Sequence, residues 1–304
     1  MNKKILVTGG SGLIGSYLQQ IIPSAEFVSS KDFNLLKNDQ VEKMFNKIKP
    51  NIVIHLAALV GGIHHNIEEP VKYFEDNILM NTFIIKESYK NNVERFTGIL
   101  SSCIYPDNIK NYPIKEDQLL EGAPHENLFS YSYAKRCMAI QIDMYNKKYN
   151  LGYNYLIPCN LYGEFDKFDS IKGHFVGALI EKIIVAKNNQ RKSIELFGDG
   201  KPYRQFMHAR DFAKIIKLMI DKDKFFNMNI ATNENYTIEN IAKIALKACD
   251  AEYFAIKYDL SKPNGQMRKD IEISKLKKYF PEFNPIKLQD GIKEIFDKRK
   301  MNNE

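Results

Sequence analysis

The segment that most constrains the fold is Gly9-Gly10-Ser11-Gly12-Leu13-Ile14-Gly15. It directly follows Lys4-Ile5-Leu6-Val7-Thr8, a short apolar run that reads as a strand buried on both faces. It opens a stretch with helical periodicity over about 13–22. Glycines at a strand-to-helix junction let the backbone turn tightly and approach a ligand closely, and the helix N-terminus presents N–H groups to an anion. Parallel strands need a crossover connection, usually a helix, so this opening commits the chain to a β-α-β unit. The loop predicts a dinucleotide pyrophosphate beside Gly9, Gly12, Leu13, Ile14 and Gly15.

The alternation continues along the chain. Strands are predicted over 26–29, 51–57, 96–102 and 153–158, with helices over 40–48, 71–91 and 131–149 between them. Regularity falls after about residue 162. Helices are expected there over 175–187, 211–220, 238–249 and 288–298, and strands near 193–197 and 227–231. This pattern is α/β, a doubly wound, Rossmann-like parallel sheet with a smaller mixed α/β C-terminal domain. The expected division is a dinucleotide-binding domain over 1–165 and a mainly substrate-binding domain over 166–304, with segments about 206–231 returning to the first. No Pro/Gly/Ser-rich linker separates the halves, which predicts a tight cleft.

Composition excludes several classes. Hydrophobic content of 44% and charged content of 27% are those of a globular protein. No apolar run reaches the length of a membrane span, so no membrane partner is expected. Residues 1–8 lead straight into the glycine turn and do not resemble a secretory leader, which makes the cytoplasm the expected compartment. The four cysteines are scattered without metal-ligand spacing, so reduced thiols and no metal are expected. The net charge of +7 is spread along helices rather than gathered in a basic block. That argues against nucleic acid and weakly for a small anionic ligand.

The end of the second strand usually selects the cofactor. Here Val28-Ser29-Ser30-Lys31-Asp32 places two hydroxyls and a lysine before any carboxylate. Ser30 and Lys31 therefore favour the 2′-phosphate of NADP(H) over the free ribose of NAD. Leu56-Ala57-Ala58 closes the third strand with small side chains, and Leu56 and Ala57 are expected against the dinucleotide.

The chemistry lies further on. Ser101 stands at the expected carboxyl end of a parallel strand, where such sheets place ligands. Tyr131 and Lys135 are four residues apart on a predicted helix and share a face. A nearby ammonium favours a phenolate and is expected to lower the tyrosine pKa from about 10. The set can move a proton to or from a sugar oxygen while a nicotinamide moves a hydride, and Lys135 can also bind nicotinamide ribose hydroxyls. Cys103, two residues beyond Ser101, is a thiol that a simple reductase does not need.

These motifs resemble the extended short-chain dehydrogenase/reductases, and within them the GDP-L-fucose synthase family. The likeness runs through Gly9 to Gly15, Val28 to Asp32, His55-Leu56-Ala57-Ala58-Leu59-Val60-Gly61-Gly62-Ile63, Ser101-Ser102-Cys103-Ile104-Tyr105-Pro106, Tyr131 to Lys135, Gly173-His174, Arg204-Gln205-Phe206 and Ser261-Lys262-Pro263-Asn264-Gly265. The resemblance implies NADPH-dependent epimerisation at C3 and C5, then reduction at C4, of a GDP-4-keto-6-deoxy sugar. It implies that Cys103 and His174 exchange protons on opposite faces of the sugar, that Tyr131 donates a proton with Lys135 in support, and that Ser101 binds the keto oxygen. For substrate binding it points to Ser102, Asn160, Arg204 and Lys269, the last two suiting a diphosphate. His64 and His65 read as loop residues, and His125 and His208 carry no comparable signal. A homodimer is implied, built on the helices over 71–91 and 131–149.

One stretch departs from the family's Leu-Tyr-Gly-Pro-His-Asp-Asn-Phe. Leu161-Tyr162-Gly163-Glu164-Phe165-Asp166-Lys167-Phe168 differs at Glu164, Phe165 and Lys167. That leaves open a C4 reductase without epimerisation, acting on a related GDP-4-keto sugar such as a heptose. A non-catalytic nucleotide-sensing protein is the alternative of another class.

Overall fold

A computed structural model describes residues 3–169 and 173–301. β1 (Ile5–Thr8) is buried at every position, and the glycine turn carries the chain into α1 (Leu13–Ile21). β2 (Glu26–Val28) then lies parallel to β1. α2 (Asn38–Ile48) buries Val41, Met44, Phe45 and Ile48, a stripe at helical spacing. It returns the chain to β3 (Ile52–His55) on the other side of β1. Because β2 and β3 flank β1 on opposite sides, a crevice opens at the carboxyl ends of β1 and β3, where α/β sheets bind ligands.

α3 (Ile63–Glu68) and α4 (Pro70–Lys90) precede β4 (Arg95–Ile99), and α5 (Phe129–Tyr149) precedes β5 (Asn154–Pro158). The chain then runs through β6 (Asn160–Tyr162), α6 (Phe175–Asn188), β7 (Ser193–Phe197), β8 (Tyr203–His208), α7 (Ala209–Asp221) and β9 (Met228–Ile230). It closes with β10 (Asn235–Thr237), α8 (Ile238–Ala248), β11 (Ala255–Asp259), α9 (Ser274–Tyr279) and α10 (Leu288–Met301). The main sheet has the order β2-β1-β3-β4-β5-β9, parallel throughout.

β9 and α7 belong to the first core, which holds Phe212, Ile216 and Met228 beside Leu6, Val53 and Leu156. The sheet β10-β8-β6 and the parallel pair β11-β7 lie beyond it. A second core, built on Ile180, Leu196, Ile241 and Ile292, holds α6, β7, α8 and α10 together. β8 serves both cores: Phe206 packs into the second and Met207 into the first.

Three differences from the sequence reading have physical causes. The strand expected to reach residue 102 stops at Ile99, and residues 102–104 form a single 3-10 turn. There Ser101 Oγ accepts a hydrogen bond from the Cys103 amide at 3.3 Å, which bends the chain out of the strand. His64 and His65 stand on α3, not in a loop, and Asn66 Nδ2 ties that helix back to the carbonyls of Gly61 and Gly62. The short elements β6, β8, β10, β11, α3 and α9 were not anticipated. No helix among the described residues is long and apolar enough to cross a membrane.

Candidate active site

The glycine turn is built for close approach. Gly9 has φ +72°, and a Cβ there would stand 2.8 Å from the Ala57 amide nitrogen, across the crevice between β1 and β3. At Gly15 a Cβ would stand 2.4 Å from the Gly10 carbonyl oxygen, so α1 starts flush against the turn, with Gly12 at its N-cap. Leu13 and Ile14 in its first turn pack on the core. On the facing rim, Leu56 N donates to Thr8 O at 3.2 Å and Ala57 N to Thr8 Oγ1 at 3.3 Å. At the end of β2, Asp32 Oδ2 accepts from both the amide and the hydroxyl of Ser29, each at 2.8 Å. These bonds hold its carboxyl below the usual range. The acidic group is thus committed to its own turn, while Ser30 and Lys31 are exposed. A cradle that any side chain would fill, with a serine and a lysine at its far end, fits a dinucleotide carrying a 2′-phosphate.

Beyond the cradle, Tyr131 is 8% exposed and Lys135 2%. Lys135 Nζ donates to Ile99 O at 2.8 Å and stands 5.9 Å from the centre of the Tyr131 ring. Burial brings this ammonium down to about 7. The phenol of Tyr131 moves the other way. Burial pushes it up, and the charge of Cys103 adds to the effect. The lowering expected from Lys135 does not occur: burial penalises the phenolate and sets the direction.

Cys103 sits at the centre of the remaining groups. Its 3-10 turn is clamped to α5: Ser132 Oγ donates to Cys103 O at 2.9 Å, Arg136 Nε to Ile104 O at 2.5 Å, and Arg136 Nη1 to Gly122 O at 2.6 Å. Tyr105 Oη donates to Asn229 Oδ1 at 2.6 Å and anchors the end of the same motif. Lys269 Nζ lies 3.4 Å from Cys103 Sγ. Burial, the largest single influence, raises the thiol pKa. Lys269, the Ser101 hydroxyl and Arg204 together outweigh it and hold the thiol below its ordinary value.

His174 caps the N-terminus of α6, and its Nδ1 lies 2.8 Å from Asp166 Oδ1. The Asp166 side chain is 3% exposed and also accepts from the Lys167 amide at 2.8 Å. The Asp166 hydrogen bond raises the His174 pKa against the effect of burial, and the charge of Cys103 contributes in the same direction.

Among the residues expected to hold substrate, Asn160 Nδ2 donates to Gln205 O at 2.9 Å, joining β6 to β8. Arg204 is pushed down to about 10 by burial, with Cys103 acting in the opposite direction. Lys269 is 7% exposed, and Ser102 is buried. Tyr131, His174, Arg204 and Lys269 therefore all feel the charge of Cys103, whereas Ser102 lies within the protein.

Of the departures from the family pattern, Glu164 and Phe165 turn toward α1 and α10. The Glu164 amide donates to Tyr17 Oη at 3.0 Å, Lys298 Nζ donates to Glu164 Oε2 at 2.5 Å, and the Phe165 ring meets Tyr17 edge-on at 4.8 Å. Lys167 is exposed, and its charge works against protonation of His174. Sequence reasoning missed Asp166, Ser132 and Arg136. Ser132 and Arg136 had a usable signal, since they repeat the four-residue spacing of Tyr131 and Lys135 one position on.

The model of the "NAD dependent epimerase/dehydratase family" matches residues 5–231. A GDP-L-fucose synthase of Dictyostelium discoideum is 33% identical, covering 96% of this chain and 93% of that protein. A GDP-L-colitose synthase of Yersinia pseudotuberculosis is 34% identical, covering 95% of each. The crystal structure of a GDP-L-fucose synthetase from Naegleria fowleri bound to NADP superposes with a TM-score of 0.88 at 30% identity, covering 100% of this chain and 95% of that one.

Proposed function

Because the chain belongs to the NAD dependent epimerase/dehydratase family, we propose that it epimerises a GDP-linked 4-keto-6-deoxy sugar at C3 and C5 and reduces it at C4 with NADPH. The observations that carry this reading are the Cys103 thiol 3.4 Å from Lys269 Nζ and the His174 ring 2.8 Å from the buried Asp166 carboxylate, beside the buried Tyr131 and Lys135 of α5. A reductase alone has use for Ser101, Tyr131 and Lys135. It has no use for a thiol held beside a buried lysine or for an imidazole held by a buried carboxylate. Relatives named for fucose and for colitose support the GDP-sugar class and leave the particular sugar to experiment.

Hydrogens on carbons next to a ketone are acidic, because the electron pair left behind spreads onto the keto oxygen. Cys103 removes such a hydrogen and His174 returns one to the opposite face. Ser101 hydrogen-bonds the keto oxygen. The turn from Gly9 to Gly15, Ser30 and Lys31, and Leu56 and Ala57 would hold NADPH, which would supply the hydride for C4. Tyr131, kept a neutral phenol by burial, gives its proton to the oxygen, and the Lys135 ammonium stabilises the phenolate that remains. Asn160 and Arg204 face the nucleotide side, where a guanidinium suits a diphosphate.

The test uses GDP-4-keto-6-deoxy-mannose and NADPH in deuterated water. Consumption of NADPH with deuterium at C3 and C5 is the expected result. Consumption without label leaves a C4 reductase, and no consumption with this or a related GDP-keto sugar overturns the reading. The same proposal takes residues 1–165 as the dinucleotide-binding unit, 166–304 as mainly the substrate unit, the cytoplasm as the compartment and a homodimer as the working form.

A further inference from the structure

We propose that Lys269 is a positioning residue for the base of this site: its ammonium keeps the Cys103 sulfur in the thiolate form, and it serves the sulfur rather than the substrate diphosphate. The inference rests on the epimerase reading above, and geometry carries it. Lys269 Nζ is 3.4 Å from Cys103 Sγ, and the residue is 7% exposed, so its side chain ends at the sulfur and not in open solvent.

Its root is fixed on both sides. The Tyr203 amide donates to Met267 O at 2.8 Å and the Ile114 amide to Asp270 O at 2.9 Å, which pins the segment to β8 at one end and to residue 114 at the other. The neighbours Arg268 and Asp270 pair with each other, Nε to Oδ1 at 2.6 Å. Lys269 is therefore left to point inward alone.

A buried ammonium is costly without an opposite charge. Burial lowers the Lys269 pKa; Cys103 works against burial and Arg204 adds to it. Arg204 adds a second positive charge, so a thiolate at Cys103 is what balances the pair. The groups facing Cys103 are Lys269, Arg204, Tyr131 and His174, with the Ser101 hydroxyl as a further donor.

From this starting state the protons balance, with Cys103 as base and His174 as acid. The thiolate takes a proton from the carbon beside the ketone and becomes a thiol, while the C–H electron pair moves to the keto oxygen. His174, protonated beside Asp166, gives its proton to the other face and becomes neutral as the enolate returns to a ketone. Exchange with water then moves one proton from the thiol to the imidazole and resets the site. A neutral thiol opposite a neutral imidazole carries the same number of protons but puts the base and the acid on the opposite faces of the sugar.

The experiment measures alkylation of Cys103 by iodoacetamide against pH, followed by peptide mass mapping on the full chain without sugar. In the unaltered protein the midpoint should lie below the ordinary thiol value of about 8.5. Lys269→Met should raise it by about one unit, a tenfold loss of thiolate at neutral pH. Lys269→Arg should keep it low. Deuterium exchange into a keto sugar should fall about tenfold in Lys269→Met, matching that loss, and should fall less in Lys269→Arg. An unaltered-protein midpoint at or above the ordinary value overturns the proposal, and this arm needs no variant to fold. An unshifted midpoint in Lys269→Met with a raised KM also overturns it and returns Lys269 to the diphosphate. A shifted midpoint without label in any keto sugar upholds the Lys269–Cys103 coupling and sinks the epimerase reading alone.

Discussion

At His174 the two ring nitrogens have different tasks. Nδ1 faces Asp166 at 2.8 Å, which leaves Nε2 as the nitrogen that can reach a substrate. The carboxylate raises the folded-state pKa, so the protonated, acid-competent ring persists to higher pH. Asp166→Asn removes that support. The pH at which deuterium exchange falls off should move downward in this variant, and an unmoved profile would contradict the role given to Asp166. The sign for stability follows from the same shift. The pair's contribution is fully present below the ordinary histidine value of about 6.5 and is lost as pH rises through the raised value. Asp166→Asn should therefore lower Tm more at about pH 5 than at about pH 9. Asp166 was illegible in the sequence for a physical reason. It stands eight residues before His174, a spacing that no helical or strand periodicity links.

A single element, α5, organises both halves of the proposed chemistry. Tyr131 and Lys135 occupy one of its faces, and Ser132 and Arg136 on the adjacent face hold the turn that carries Cys103. Arg136 is buried, and its loss would leave the carbonyls of Ile104 and Gly122 without their donor. At about 1–3 kcal/mol for each unsatisfied group, Arg136→Met should cost about 2–6 kcal/mol, read as a lower denaturant midpoint. It should also slow epimerisation more than reduction. A variant as stable as the parent would show that the clamp is incidental. Much of the first half could be read from sequence because β1 and β3 are buried, largely β-branched runs and α2 carries a periodic stripe of Val41, Met44, Phe45 and Ile48. Among the later strands, β7 and β9 match the expected segments near 193–197 and 227–231, but others could not be read. β6 and β10 are three residues long, too short for any period, and β11 is largely exposed, so its pairing with β7 leaves little hydrophobic trace. The approach of Lys269 to Cys103 joins distant parts of the chain and is visible only once both cores have formed.

On the scale of the whole molecule, the proposed base and acid come from different regions. Cys103 follows a strand of the main sheet, and His174 begins a helix of the second core. The link between them is reinforced from the far end of the chain, where Arg210 of α7 pairs with Glu294 of α10 at 2.7 Å and Lys298 reaches Glu164. The outer surface of α4 and α5 carries the exposed apolar residues Val71, Phe74 and Met144. Under the homodimer proposal this surface is covered by a second copy. Light scattering should give a dimer mass, and Val71→Asp combined with Met144→Lys should give a monomer mass. A monomer from the unaltered protein at micromolar concentration would remove the dimer from the account. The double service of β8 has a consequence of another kind. With Phe206 in one core and Met207 in the other, adding or deleting one residue would send each side chain to the wrong core at once and would turn Arg204 away from the site. In evolutionary terms this strand can drift letter by letter but cannot change length, so natural homologues should place their gaps in the loops on either side of it.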